Sequence, residues 1–124
     1  RENNYRSVLN FGHTVGHAIE TLSNYQVRHG FAVAQGMRVA AALSHRLLGY
    51  PAERLSRLNK LLDDYHLLPV EMSGYSLEDI WNCIRFDKKA RQQTPLFTLL
   101  DEQGKPKLFY PVSKKELKDG LLHA

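Results

Sequence analysis

A single cysteine, Cys83, in 124 residues excludes an intrachain disulfide and suits a reducing compartment. Its neighbours Ile80, Trp81 and Ile84 give it the look of a small core residue rather than a reactive thiol. Long apolar runs are also missing. No stretch approaches the roughly 20 residues of a membrane-spanning helix, so no membrane partner is expected and cytoplasm is the expected compartment. Dense charge blocks are scarce as well: 17 Lys and Arg against 13 Asp and Glu give a net charge of +4, spread along the chain. Without a basic cluster or an aromatic ladder, that excess reads as a solvated surface, and no nucleic-acid partner is expected. Proline (5) and glycine (8) are too few for a collagen-like or disordered chain, and 43% hydrophobic residues suffice for one modest core over residues 1–124. The chain begins at Arg1 and its richest motif starts at Arg6, so it is expected to be a piece of a longer protein.

What is present is mostly helix. Apolar spacing predicts a first helix from Asn10 or Phe11 to Ser23, with turn chemistry at Ser23 and Asn24. A loop from Asn24 to Gly30 leads to a second helix from Phe31 to Leu48, with Val33, Met37, Ala40, Leu43 or Ser44, and Leu47 on its buried face. Gly49 and Pro51 separate it from a third helix, Pro51 to Tyr65, that buries Leu55, Leu58, Leu62 and Tyr65. Ser76 and Asp79 open a short helix to Arg85 with Leu77, Ile80, Trp81 and Ile84 inside. Phe86 to Thr94 reads as a polar basic loop. Leu96 to Leu100 and Lys107 to Tyr110, joined by a turn with Asp101 and Gly104, form a small β-hairpin. A Ser113–Glu116 capping box precedes a last helix with Leu117 and Leu121 buried. The class is mainly α with one hairpin near the C-terminus.

The readable chemistry lies between Arg6 and Gly36, which holds three of the six histidines. Asn10, His13, His17 and Glu20 fall on one stripe of a 3.6-residue helix. His13 and His17 place two imidazoles where a divalent metal could bridge them, with Glu20 nearby and His29 as a third candidate. The segment lacks the Glu directly after the first histidine that a metalloprotease helix needs. His45, His66 and His123 sit in ordinary contexts and take no role. Gly12 and Gly16 each cost a helix about 1 kcal/mol against alanine. Close approach of a ligand or of another helix would offset that cost.

The string Glu2-x-x-x-Arg6-x-x-Leu9-Asn10-Phe11-Gly12-His13-Thr14-x-Gly16-His17-Ala18-x-Glu20, then His29-Gly30-x-Ala32-Val33-Ala34-x-Gly36-Met37, then Asp87-Lys88-Lys89, resembles the C-terminal half of the 3-dehydroquinate synthase family across nearly the whole chain. One departure stands out: the family commonly reads His-Gly-Glu where this chain has His29-Gly30-Phe31. The resemblance implies the helical C-terminal domain of that fold, in a shikimate-pathway lyase of aromatic amino-acid biosynthesis. That enzyme converts 3-deoxy-D-arabino-heptulosonate 7-phosphate to 3-dehydroquinate and phosphate. Its cofactors are NAD and a divalent metal, zinc or alternatively cobalt. The family chemistry oxidises a substrate hydroxyl, eliminates phosphate, returns the hydride, opens the ring and closes a carbocycle.

The resemblance also implies roles for particular residues. His13 and His29 become the metal ligands, in place of the His13 and His17 pair that spacing alone favoured. His17 becomes a phosphate contact that assists proton transfer, a task suited to an imidazole near neutral pH. Asn10 becomes a second phosphate contact, and Arg6 the partner of the substrate carboxylate, which its planar fork fits. Glu2 lies near the substrate hydroxyls with a catalytic role. Lys88 and Lys89 are the further phosphate-side candidates, with Lys88 favoured. The family's N-terminal NAD-binding α/β domain and its third metal ligand, a glutamate, lie upstream of this sequence. A catalytic metal typically has three protein ligands and an open position, so the chain alone is expected to be inactive. A homodimer is expected of the full enzyme. The alternatives are another sugar-phosphate cyclase, or a stand-alone binding or assembly module without chemistry.

Overall fold

The computed structural model describes residues 10–85 and 94–124. Five helices and a hairpin follow one another among them: α1 (His13–Leu22), α2 (His29–Leu48), α3 (Ala52–Asp64), α4 (Leu77–Arg85), β1 (Leu96–Leu100), β2 (Pro106–Pro111) and α5 (Lys114–His123). The mainly α expectation with a late hairpin is met. Most of the expected basic loop, residues 86–93, lies outside the described residues.

α2 is the axis of the domain. Helices α1, α3 and α5 and strand β1 all touch it, and α4 closes over α1. The predicted stripe on α2 is therefore too narrow. Burial runs continuously from Arg38 to Ser44 and includes Ala32, Ala34, Gln35 and Gly36, because neighbours cover several sides of the helix. Val33, Met37 and Leu47, expected inside, are half-buried. The core joins Val15, Ala18 and Ile19 of α1, Val39, Ala40 and Leu43 of α2, Ile80 and Ile84 of α4, Phe97 and Leu99 of β1, Val112, and Leu117 of α5. Cys83 lies half-buried against it.

Three of the boundaries that differ from the sequence reading have a clear local reason. α1 starts at His13 rather than Asn10, because Gly12 adopts φ 88° as the N-cap residue and breaks the helix there. Asn10 thus sits in the preceding turn, where its carbonyl accepts from the His13 amide at 2.9 Å. α2 starts at His29 rather than Phe31, its first turn closed by the Ala32 amide donating to the Arg28 carbonyl at 2.9 Å. α3 ends at Asp64. Tyr65, expected to be buried, is 72% exposed, because the chain turns away at once through His66 at φ 63°.

Two polar side chains inside α2 bind the end of α3 and the segment that follows it. Arg38, only 4% exposed, donates to Asp63 Oδ1 at 2.8 Å and to the Leu67 carbonyl at 2.9 Å. Gln35 Oε1 accepts from the Val70 amide at 2.9 Å. A buried guanidinium needs such partners, since stripping its water without replacement costs several kcal/mol. On the opposite side, Ser44 Oγ donates to the Ala40 carbonyl and accepts from the Leu100 amide at 2.9 Å, which fixes β1 to the helix.

The hairpin is antiparallel, with a register shift between Phe97 and Leu99 and Phe109 at φ 56° opposite it. Its turn is held by the Asp101 carboxylate, whose Oδ1 accepts from the Gln103 and Lys105 amides at 2.9 Å each. These bonds hold the Asp101 pKa below the ordinary aspartate value, the Lys105 amide contributing most; the Gln103 amide and the charges of Lys107 and Lys105 add to it against partial desolvation. A depressed carboxylate stabilises the fold above its unfolded pKa, and the contribution is lost as pH falls through the lower folded value. Acidification is therefore expected to loosen this turn only below the ordinary aspartate range. Carboxyl carbon shifts of Asp101 followed by NMR between pH 7 and 2, together with exchange of the Gln103 and Lys105 amides, check it; a midpoint at the ordinary value would contradict it. α5 carries the expected capping box, Ser113 Oγ accepting from the Glu116 amide and Glu116 Oε1 from the Ser113 amide.

Candidate functional site

The site is set by how closely α1 and α2 cross. A Cβ added to Gly36 would lie 1.9 Å from the Gly12 carbonyl oxygen and 2.8 Å from the Gly16 amide nitrogen. A Cβ on Gly12 would meet Met37 Cγ and N at 2.7 Å. Of the two readings left open for these glycines, the helix crossing holds. They face α2 within this chain, and only Gly16 stands inside a helix. Antiparallel contact of this kind brings the C-terminal turn of α1 beside the first turn of α2.

There His29 contacts both Glu20, near the end of α1, and the ring of His13, the first residue of that helix. The rings of His13 and His29 lie 5.9 Å apart between centroids, tilted by 51°. His29, whose side chain is 67% exposed, places Nδ1 at 2.9 Å from Glu20 Oε2, while Glu20 is only 14% exposed. Nδ1 of His13 is buried and has no hydrogen-bond partner among the described residues. Two imidazoles on one tetrahedral ion, at the usual 2.0–2.1 Å, have ring centroids roughly 5–5.5 Å apart. The observed pair needs only a small adjustment, and its orphaned ring nitrogen fits the same ligand set. Among the described residues no group of three metal-ligating side chains is assembled, so the pair is at most part of a centre.

The remaining candidates fall in two sets. His17 is exposed one turn along α1 from His13, and Asn10 is exposed at the entrance to the helix. Glu2, Arg6, Lys88 and Lys89 lie outside the described residues. The Glu20–His29 contact was not foreseen: Glu20 was noted beside His13, and spacing along one helix says nothing of a partner nine residues on.

The fold is shared with solved sugar-phosphate cyclases, about a third of whose length this chain matches. A 2-deoxy-scyllo-inosose synthase solved with carbaglucose-6-phosphate, NAD+ and Co2+ matches 90% of this chain and 32% of its own, at 26% identity and a TM-score of 0.72. A 2-epi-5-epi-valiolone synthase from Streptomyces hygroscopicus subsp. jinggangensis shares the fold at 22% identity, with a TM-score of 0.77 over 91% of this chain and 31% of its own. The family model for the C-terminal region of 3-dehydroquinate synthase matches residues 1–90. The 3-dehydroquinate synthase of Methylacidiphilum infernorum is 40% identical over 113 residues, 90% of this chain and 31% of its own length. That of Syntrophotalea carbinolica is 47% identical over 93 residues, 74% of this chain and 25% of its own. The chain belongs to the 3-dehydroquinate synthase C-terminal family, and it spans about a third of the length of those curated relatives or less. No helix among the described residues is long and apolar enough to cross a membrane.

Proposed function

We propose that this chain is the metal- and substrate-binding domain of a 3-dehydroquinate synthase, working with an upstream NAD-binding domain. The carrying observation is the 5.9 Å approach of His13 and His29 across the α1–α2 crossing, in a chain matched by the family model over residues 1–90. His13 and His29 would hold a divalent metal, zinc or cobalt, and an upstream carboxylate would complete the set. Bound there, the metal would supply positive charge to a substrate oxygen that becomes negative. No residue of this chain is assigned to NAD.

The chain's own side chains divide the remaining work. His17 stands exposed on the same helix as His13, where it binds the substrate phosphate and moves a proton as that group leaves. Asn10 donates its side-chain amide to the same phosphate. Arg6 holds the substrate carboxylate, Lys88 or Lys89 adds charge at the phosphate, and Glu2 meets the substrate hydroxyls. The full enzyme is a cytoplasmic homodimer in this reading, and the isolated chain is inactive.

The match to an inosose-forming enzyme favours a second reading, another cyclase of the same fold. Substrate choice separates the two. Full-length protein with NAD and a divalent metal is expected to release phosphate from 3-deoxy-D-arabino-heptulosonate 7-phosphate, and at least about a hundredfold more slowly from sugar phosphates lacking the carboxylate that Arg6 would bind. Equal or faster turnover of an uncarboxylated sugar phosphate would transfer the assignment to the second reading. No turnover of any of them by folded, metal- and NAD-loaded protein would leave a binding or assembly module.

A further inference from the structure

The Glu20–His29 pair is lopsided in a way that an ordinary surface ion pair is not. Its histidine is 67% exposed, while its carboxylate is 14% exposed on the last turn of α1, directly after the fully buried Ile19. A carboxylate only accepts hydrogen bonds, so the 2.9 Å contact calls for a proton on His29 Nδ1, and in the neutral imidazole that leaves the lone pair on Nε2. An exposed imidazole at the first residue of a helix would otherwise turn among rotamers and exchange tautomers freely. Held by Glu20, it keeps one tautomer and one orientation beside the His13 ring.

We propose that Glu20 is a positioning residue: it fixes the tautomer and aim of His29 and raises its basicity toward a divalent cation. Carboxylates that hold the far nitrogen of a liganding histidine do this in metal sites generally, and their removal weakens metal binding about 10- to 100-fold. The assignment rests on the reading above that His29 is a ligand. Glu20 itself stays off the metal.

The test is Co2+ binding to the full-length NAD-loaded protein, followed by visible absorption of the bound ion and by competition with a chelator, with melting of the apo-protein alongside. His29→Ala, Glu20→Ala and Glu20→Gln are compared with the parent. Glu20→Ala is expected to weaken Co2+ about 10- to 100-fold and to shift the absorption bands, with the apo melting temperature little changed. Glu20→Gln keeps an oxygen for the Nδ1 proton without the charge, and is expected to recover part of the loss. If His29→Ala weakens Co2+ but both Glu20 variants bind and absorb as the parent does, the positioning role is overturned and the ligand reading stands. If His29→Ala also binds as the parent does, the ligand reading itself fails and takes the positioning role with it. If Glu20→Ala loses as much affinity as His29→Ala and Glu20→Gln recovers none, Glu20 is a direct ligand and the inference is wrong.

Discussion

Gly36→Ala is expected to unfold this domain or destabilise it by about 4 kcal/mol or more, the upper end of what single substitutions do. The added methyl carbon would lie 1.9 Å from the Gly12 carbonyl oxygen, with Gly16 N and Gly12 C at 2.8 and 2.9 Å. These are backbone atoms and cannot turn aside as a long side chain would. Relief requires α1 and α2 to separate. That would open the contacts of Val15, Ala18 and Ile19 with the core and move His13 away from His29. Gly74→Ala is the control. Nothing lies within 4 Å of its added Cβ and its φ is not positive, so it is expected to be neutral or to gain up to about 1 kcal/mol through the unfolded state. Chemical denaturation of both variants measures the difference, and a Gly36→Ala protein within about 1 kcal/mol of the parent would refute the tight crossing.

The second large effect is on metal affinity. His29→Ala and His13→Ala are each expected to weaken divalent metal binding in the full-length enzyme on the order of a thousandfold. Apparent zinc binding energies of roughly 10–16 kcal/mol shared over three or four ligands give about 3–5 kcal/mol for each one. Stability should separate from affinity at His29. Its side chain is mostly exposed, but its removal leaves the largely buried Glu20 carboxylate unpaired, so folding stability is expected to fall by about 1 kcal/mol, well short of the loss in metal affinity. His17→Ala should spare the metal and weaken substrate phosphate binding instead. Competition titration of the metal for all three variants checks this; a loss at His17 equal to that at His13 would restore the simple i, i+4 pair.

That last contrast marks where the sequence was legible and where it was not. Periodicity located all five described helices and the hairpin, because each has an apolar stripe and a capping or turn residue at its end. It could not see that α2 is covered on several sides, since a helix at the centre of a domain has no single buried face. It also extended α1 back to Asn10, because helical spacing continues through Gly12 while the backbone does not. At the site, local spacing joined His13 to His17 and Glu20 along one helix. The resemblance to a known family, and not the spacing, separated the two histidines. The crossing of α1 and α2 then brings His29 to both His13 and Glu20, a relation set by glycine-to-backbone contact between segments. Arg38 was silent for a similar reason: its partners, Asp63 and the Leu67 carbonyl, belong to a later helix end.

Whether α1 and α2 together hold the metal can be seen directly. Anomalous diffraction at the absorption edge of bound zinc or cobalt, from crystals of the full-length enzyme with NAD, locates the ion directly. It should give one peak at about 2.0–2.1 Å from a ring nitrogen of both His13 and His29, with His17 away from the ion. A peak shared by His13 and His17, or one that touches neither His13 nor His29, would contradict it.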